Sequence, residues 1–214
     1  MKKLLLMMMI LFFSIDSPNA EHRFGVRYGG GLSSMFEQEI STPNKSSMVI
    51  SALGGHYRIA LNEMFSIQIE ALLTGKGARF SNEDYLSTGG RRESIRLNYL
   101  EFPVLARFSI PVRDFRPQFF FGPSMSLLLS YMHVVEEQFQ RVSTEFIGDM
   151  LPYDLGLTVG GALGVEAEAG IFMLEFRYTI GFTESPLSYL DNQQRTKNRV
   201  FHLLIAYDFK LSSE

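Results

Sequence analysis

Eight charged residues carry whatever chemistry the interior of this chain can do: Arg27, Glu70, Glu101, Arg107, Glu166, Glu175, Arg177 and Asp208. Five carboxylates and three guanidinium groups can exchange protons, hold a small ligand or pair with one another. Catalysis would need more. A hydrolase requires a serine, a histidine and a carboxylate within hydrogen-bond reach. The histidines are His22, His56, His133 and His202, and none sits in a local serine–histidine motif. His133 with Glu136 or Glu137 is a pair of nearby polar residues in a loop, which is commonplace. Gly29-Gly30-Gly31 and Gly160-Gly161 lack the helix and lysine that a phosphate loop needs. Without cysteine the chain has no thiol nucleophile, zinc–thiolate site, disulfide or lipidated cysteine. No catalytic, metal or cofactor-binding residue is expected, and the chain reads as non-enzymatic.

The elements that position the eight charges are strands. In Phe172 to Phe182, Phe172, Leu174, Phe176, Tyr178, Ile180 and Phe182 share one parity, and Met173, Glu175, Arg177, Thr179 and Gly181 the other. Successive strand side chains point to opposite faces, so one face is greasy and one polar. The pattern recurs about eight times. Arg23–Leu32 sets Phe24, Val26 and Tyr28 against Arg27. Met48–Ala60 alternates most weakly, with His56 and Arg58 on the polar side. Phe65–Lys76 points Glu70 and Lys76 inward, and Ile95–Ile110 does the same with Tyr99, Glu101 and Arg107. Gln118–Tyr131 sets Leu129 and Tyr131 outward and Ser130 inward. Asp154–Glu166 directs both its ends inward, and Val200–Leu211 places His202 and Asp208 inside.

Connection lengths give a second signal. Short links at Ala60–Glu63, Pro111–Pro117 and Ala167–Gly170 alternate with long polar ones at Ser34–Ser47, Gly77–Glu93, Met132–Tyr153 and Thr183–Asn198. Short turns on one side and long loops on the other are the habit of transmembrane barrels. The expected fold is all-β: an eight-stranded antiparallel up-and-down transmembrane β-barrel. Its interior is just wide enough for side chains to fill, so the eight charges are expected to form a paired structural network in the lumen. Wide aqueous channels need roughly 16 strands. Pro103 and Pro123 fall within strands and mark irregularities, since proline donates nothing to the ladder.

The first 20 residues read as a signal peptide: Lys2 and Lys3, an apolar run from Leu4 to Ile15, and cleavage after Ala20. The barrel domain is then 21–214. Without Lys2, Lys3 and Asp16, the 20 basic and 23 acidic residues become 18 and 22, a net charge of −4. That balance offers nothing to nucleic acid. Tryptophan is absent, so the 19 phenylalanines and 9 tyrosines must supply any aromatic girdle.

Several stretches carry a family resemblance: IEALLTGKGARF (69–80), LNYLEFPVLARF (97–108), PQFFFGPSMSLLL (117–129), DLGLTVGGALGV (154–165) and LEFRYTIGF (174–182). They resemble the barrel domain of PorT-like, porin-family outer membrane proteins of the Bacteroidota type, with residues 97–103 the most specific piece. The resemblance implies an eight-stranded outer membrane barrel without a catalytic motif. Many barrels end on an aromatic residue that the barrel assembly machinery reads. This sequence closes Phe209-Lys210-Leu211-Ser212-Ser213-Glu214, so Phe209 or Leu211 would serve instead.

The expected role is structural or accessory in the cell outer membrane, among outer membrane lipid and lipopolysaccharide, with exterior loops touching an envelope protein partner or ligand. Loops 77–93 and 132–153 are the contact candidates, for their Phe80, Tyr85, Phe139 and Phe146. Arg91-Arg92 reads as a solvated tip able to meet lipopolysaccharide phosphates. The alternatives are a narrow channel, a lipid-modifying enzyme dependent on His133, and a soluble lipid-binding barrel with its faces inverted.

Overall fold

The computed structural model describes residues 21–37, 45–81, 91–110, 112, 115–137, 140–146, 153–183 and 196–210. Residues 1–20, Tyr85 and Phe139 lie outside them, and so do the side chains of Phe80, Arg91, Arg92, Glu136, Glu137 and Phe146. Every described element is a strand: β1 Glu21–Glu37, β2 Lys45–Ser46, β3 Met48–Ala60, β4 Phe65–Ser81, β5 Arg91–Ser109, β6 Phe115–Glu137, β7 Gln140–Phe146, β8 Tyr153–Ala167, β9 Gly170–Gly181 and β10 Thr196–Lys210. β1, β3, β4, β5, β6, β8, β9 and β10 pair antiparallel in succession, and β1 pairs with β10 to close the wall. The result is a closed eight-stranded antiparallel barrel. β2 adds a short rung to β4, and β7 extends β6 as a hairpin at the long-loop end.

The alternation in sequence becomes an inside and an outside. On β10, Phe201, Leu203, Ile205 and Phe209 are exposed while His202, Leu204, Ala206 and Asp208 are buried. Outward Tyr28, Phe121 and Ile205 are each more than 60% exposed, which suits lipid and not water (65%, 63% and 64%). Aromatic side chains gather at the short-turn rim. Phe24 meets Tyr57 at 4.8 Å, Phe65 meets Phe108 at 5.2 Å and Phe172 meets Tyr207 at 4.5 Å, all between ring centroids. Tyr57 Oη lies 2.6 Å from His22 Nδ1. Such a girdle marks a membrane–water boundary.

Three irregularities shape the wall. Beside Pro103 and Pro123 the β4–β5 and β5–β6 ladders each skip two pairs, then resume in unchanged register. The true shift lies higher. Asn98 pairs Ser130 but Tyr99 pairs Leu128, so Leu129 is an extra, bulged residue. The bulge reverses parity beyond it. Tyr131, expected outward, is buried inside, and Ser130, expected inward, shares the outward face with Asn98 and accepts its hydrogen bond at 2.8 Å. Third, the β3–β4 ladder ends at Ala52–Thr74, although β3 continues to Met48 and β4 to Ser81. Above that point Gly77 has φ of 149°, and its N–H donates to Ser33 Oγ of β1 at 2.9 Å.

Candidate functional site

The polar parity of all eight barrel strands converges on the lumen. Glu175 and Arg177 on β9, Glu70 on β4 and Arg27 on β1 form its centre. Arg27 Nη1 donates to Glu70 Oε1 at 2.8 Å and to Glu175 Oε1 at 3.0 Å. Arg177 Nη1 donates to Glu70 Oε2 at 2.7 Å, and its Nη2 also meets Glu175. Arg107 of β5 reaches Glu175 Oε2 at 3.2 Å and Gln118 at 3.1 Å. All five charged side chains are fully buried. Glu175 is the anion shared by all three arginines, so taking its charge away would leave them under-paired in a medium where an uncompensated buried charge costs about 3–5 kcal/mol.

Glycine and phenylalanine make room for this centre. A Cβ on Gly160 would lie 2.4 Å from Phe120 Cζ, so only glycine lets that ring swing inward. The Phe120 ring then lies 4.5 Å from Arg107 Cζ and 5.6 Å from Arg177 Cζ. A Cβ on Gly25 would likewise strike His56, at 2.2 Å. His56 Nε2 therefore reaches Asp208 Oδ1 at 2.6 Å, and Arg58 pairs with Asp208 Oδ2 at 2.6 Å. Arg58 also donates to Gln68 Oε1 at 2.7 Å, and Gln68 accepts from Arg107 at 3.0 Å. Asp208 is thereby tied to the centre.

Glu101 belongs to a second cluster, nearer the long loops. Lys76 Nζ lies 2.9 Å from Asp154 and 3.5 Å from Glu101, and donates to Ser126 Oγ at 2.8 Å. Asn198 and Thr183 donate to Asp154 at 3.0 and 2.7 Å. Above this cluster the lumen turns apolar: Met35, Ala78, Ile95, Leu97, Tyr99 and Tyr131 pack together as a stopper.

The expectation that Glu166 joins the network is not met. It sits at the short-turn rim, part-exposed, and pairs with Arg116 Nε at 2.9 Å. Parity sets a direction but not a depth, and Glu166 is one residue from the end of β8. Sequence reasoning also left Arg58, Lys76 and Asp154 outside the cluster. With them included, five lumen cations (Arg27, Arg58, Lys76, Arg107, Arg177) face five lumen anions (Glu70, Glu101, Asp154, Glu175, Asp208), and a sixth buried cation, Arg23, pairs with Glu21 at the short-turn rim. Of the other sequence candidates, His202 lies 2.9 Å from Thr74 Oγ1, and the ring of His133 stands beside that of Tyr131. No described group of three histidine or acidic side chains is placed to hold a metal ion.

No curated protein matches the chain in sequence. Its fold is similar to that of the outer membrane protein OprG from Pseudomonas aeruginosa, at 12% identity and a TM-score of 0.50, over 90% of this chain and 97% of that one. A major outer membrane protein from Thermus thermophilus is similar at 13% identity and a TM-score of 0.50, over 88% and 99% of the two chains. The family described as "Outer membrane protein beta-barrel domain" matches residues 15–185, most of the sequence. The chain belongs to that family.

Proposed function

We propose that this protein is a non-enzymatic resident of the cell outer membrane. It is exported by residues 1–20, inserted by the barrel assembly machinery, and carries no flux through its lumen. It serves as a structural or accessory platform whose exterior loops meet an envelope protein partner or ligand. The resemblance of its sequence to PorT-like barrels supports the same reading. The observation that carries it is the filled lumen: a charge-balanced network in the middle and an apolar stopper above it. Ions crossing such a lumen would have to break paired, desolvated charges and then pass a greasy constriction.

A narrow channel is the second reading. It is favoured by a cavity of about 240 Å³ at the short-turn mouth, where Arg23, Arg58 and Arg116 line an entrance. Planar bilayers separate the two. The sealed barrel gives no discrete current steps in 1 M KCl (about a 3 Å Debye length). Reproducible steps from the folded, heat-modifiable protein would establish the channel.

A further inference from the structure

The outer wall carries a feature that the lumen does not explain. Where the β3–β4 ladder stops, the outward face holds a groove of about 420 Å³. Its apolar sides are Tyr28, Leu53, Leu73 and Leu129, each about half exposed or more. Gly75 forms part of its floor, and the position of a Gly75 Cβ lies 3.2 Å from Ile50 Cγ2. Buried Ile50 and Met48 thus close the seam from the lumen side. Polar groups appear at the upper edge. Ser51 is exposed there, and the Leu129 bulge turns Ser130 outward beside Asn98.

Arginines stand directly above. Gly75 pairs Asn98, Gly77 pairs Arg96 and Arg79 pairs Ser94. Paired residues share a face, so Arg79 and Arg96 are diagonal neighbours on the outward side, two rungs above the polar edge. Both are exposed, and neither has an ion-pair partner among the described residues. Lys197 and Arg199 are also outward at this end. Asp154, the acidic side chain described nearest this end, faces inward. The acids Glu21, Glu63, Glu166 and Glu168 lie at the opposite rim. Arg96 and Phe108 of the aromatic girdle share β5. A strand rising about 3.3 Å per residue and tilted about 40° puts them about 30 Å apart, one bilayer core.

We propose that groove and arginines form one binding site for a phosphate-bearing, acylated lipid of the outer leaflet. An acyl chain lies in the groove, Ser51 and the Asn98–Ser130 pair meet the ester or amide linkage, and Arg79 with Arg96 clamps the phosphate. Guanidinium groups suit that last task because they offer paired donors to phosphate oxygens. The inference rests on the membrane setting proposed above; failure of that setting would appear as failure to reconstitute, before any lipid is measured.

The test uses the full exported protein in nanodiscs of phosphatidylcholine doped with bisphosphorylated lipid A. Retained lipid is counted by native mass spectrometry. The wild type retains lipid A at about one per barrel. Retention falls at least about tenfold with Arg79→Ala/Arg96→Ala, with Ser51→Phe, which fills the groove, and with dephosphorylated lipid A. Both variants change outward, exposed positions, and heat-modifiability checks that each is folded. Equal retention by wild type and both folded variants would overturn the site. Equal retention of dephosphorylated lipid A, or a second barrel in the groove seen as a crosslinked dimer, would overturn it as well.

Discussion

The lower and upper halves of the lumen solve the same problem in different ways. In the lower half, two guanidinium groups bridge a pair of carboxylates: Arg27 and Arg177 both span Glu70 and Glu175. The strands there keep regular register from the turns up to the prolines. In the upper half one ammonium, Lys76, serves two carboxylates, neutral donors finish the task, and apolar side chains fill what remains. There the wall also bulges and one ladder stops. Forked, planar cations bind strands into a fixed arrangement, whereas a point charge with hydroxyl and amide partners tolerates departures. The barrel is thus stiffly specified near its turns and adaptable near its loops.

The sharpest way to break this comparison is charge reversal in the lower half. Arg177→Glu would set three carboxylates side by side without water. We expect no folded, heat-modifiable band on semi-native gels; a normal band would mean that the centre is not assembled as described. Glu175→Gln is milder. It leaves Arg27, Arg107 and Arg177 without their shared anion and should cost about 3–5 kcal/mol in urea unfolding from lipid vesicles. Lys76→Met tests the upper half. Glu101 keeps Ser126 and Asp154 keeps Asn198 and Thr183, so the expected loss is about 1–3 kcal/mol. If Lys76→Met costs as much as Glu175→Gln, the two halves do not differ. Glu166→Gln should lie below about 1 kcal/mol, since a part-exposed rim pair contributes little. An effect as large as that of Glu175→Gln would return Glu166 to the network.

Much of this is legible from parity alone. Alternation distinguishes wall from lumen along most of the barrel, because a side chain on a strand has only two directions to choose from. Arg27, Glu70, Arg107, Glu175, Arg177 and Asp208 can be picked out in that way. Depth cannot, which is why parity puts Glu166 too deep. The sequence cluster also contains its own warning: five anions against three cations is no stable buried set. That imbalance points to Arg58 and Lys76, both on the polar parity. Arg58 is masked by the weak alternation of its segment, where Ile50 also faces inward. The stopper is hidden for a related reason, since Ile95 and Leu97 are apolar residues on the inward parity. Tyr131 is misplaced because no local residue type announces a bulge at Leu129; the mispairing of two neighbouring strands creates it.

The aromatic girdle at the short-turn rim has a mechanical consequence. Phe24, Tyr57, Phe65, Phe108, Phe172 and Tyr207 moor that edge at the headgroup boundary, as interfacial aromatics do. Any mismatch between barrel height and bilayer thickness must then be absorbed at the other edge, near Arg79 and Arg96. A thinner bilayer would leave those arginines standing clear of the surface, and a thicker one would draw them in. The protein would ride in the membrane like a float ballasted at one end, with its loops rising and sinking as the lipid around it changes.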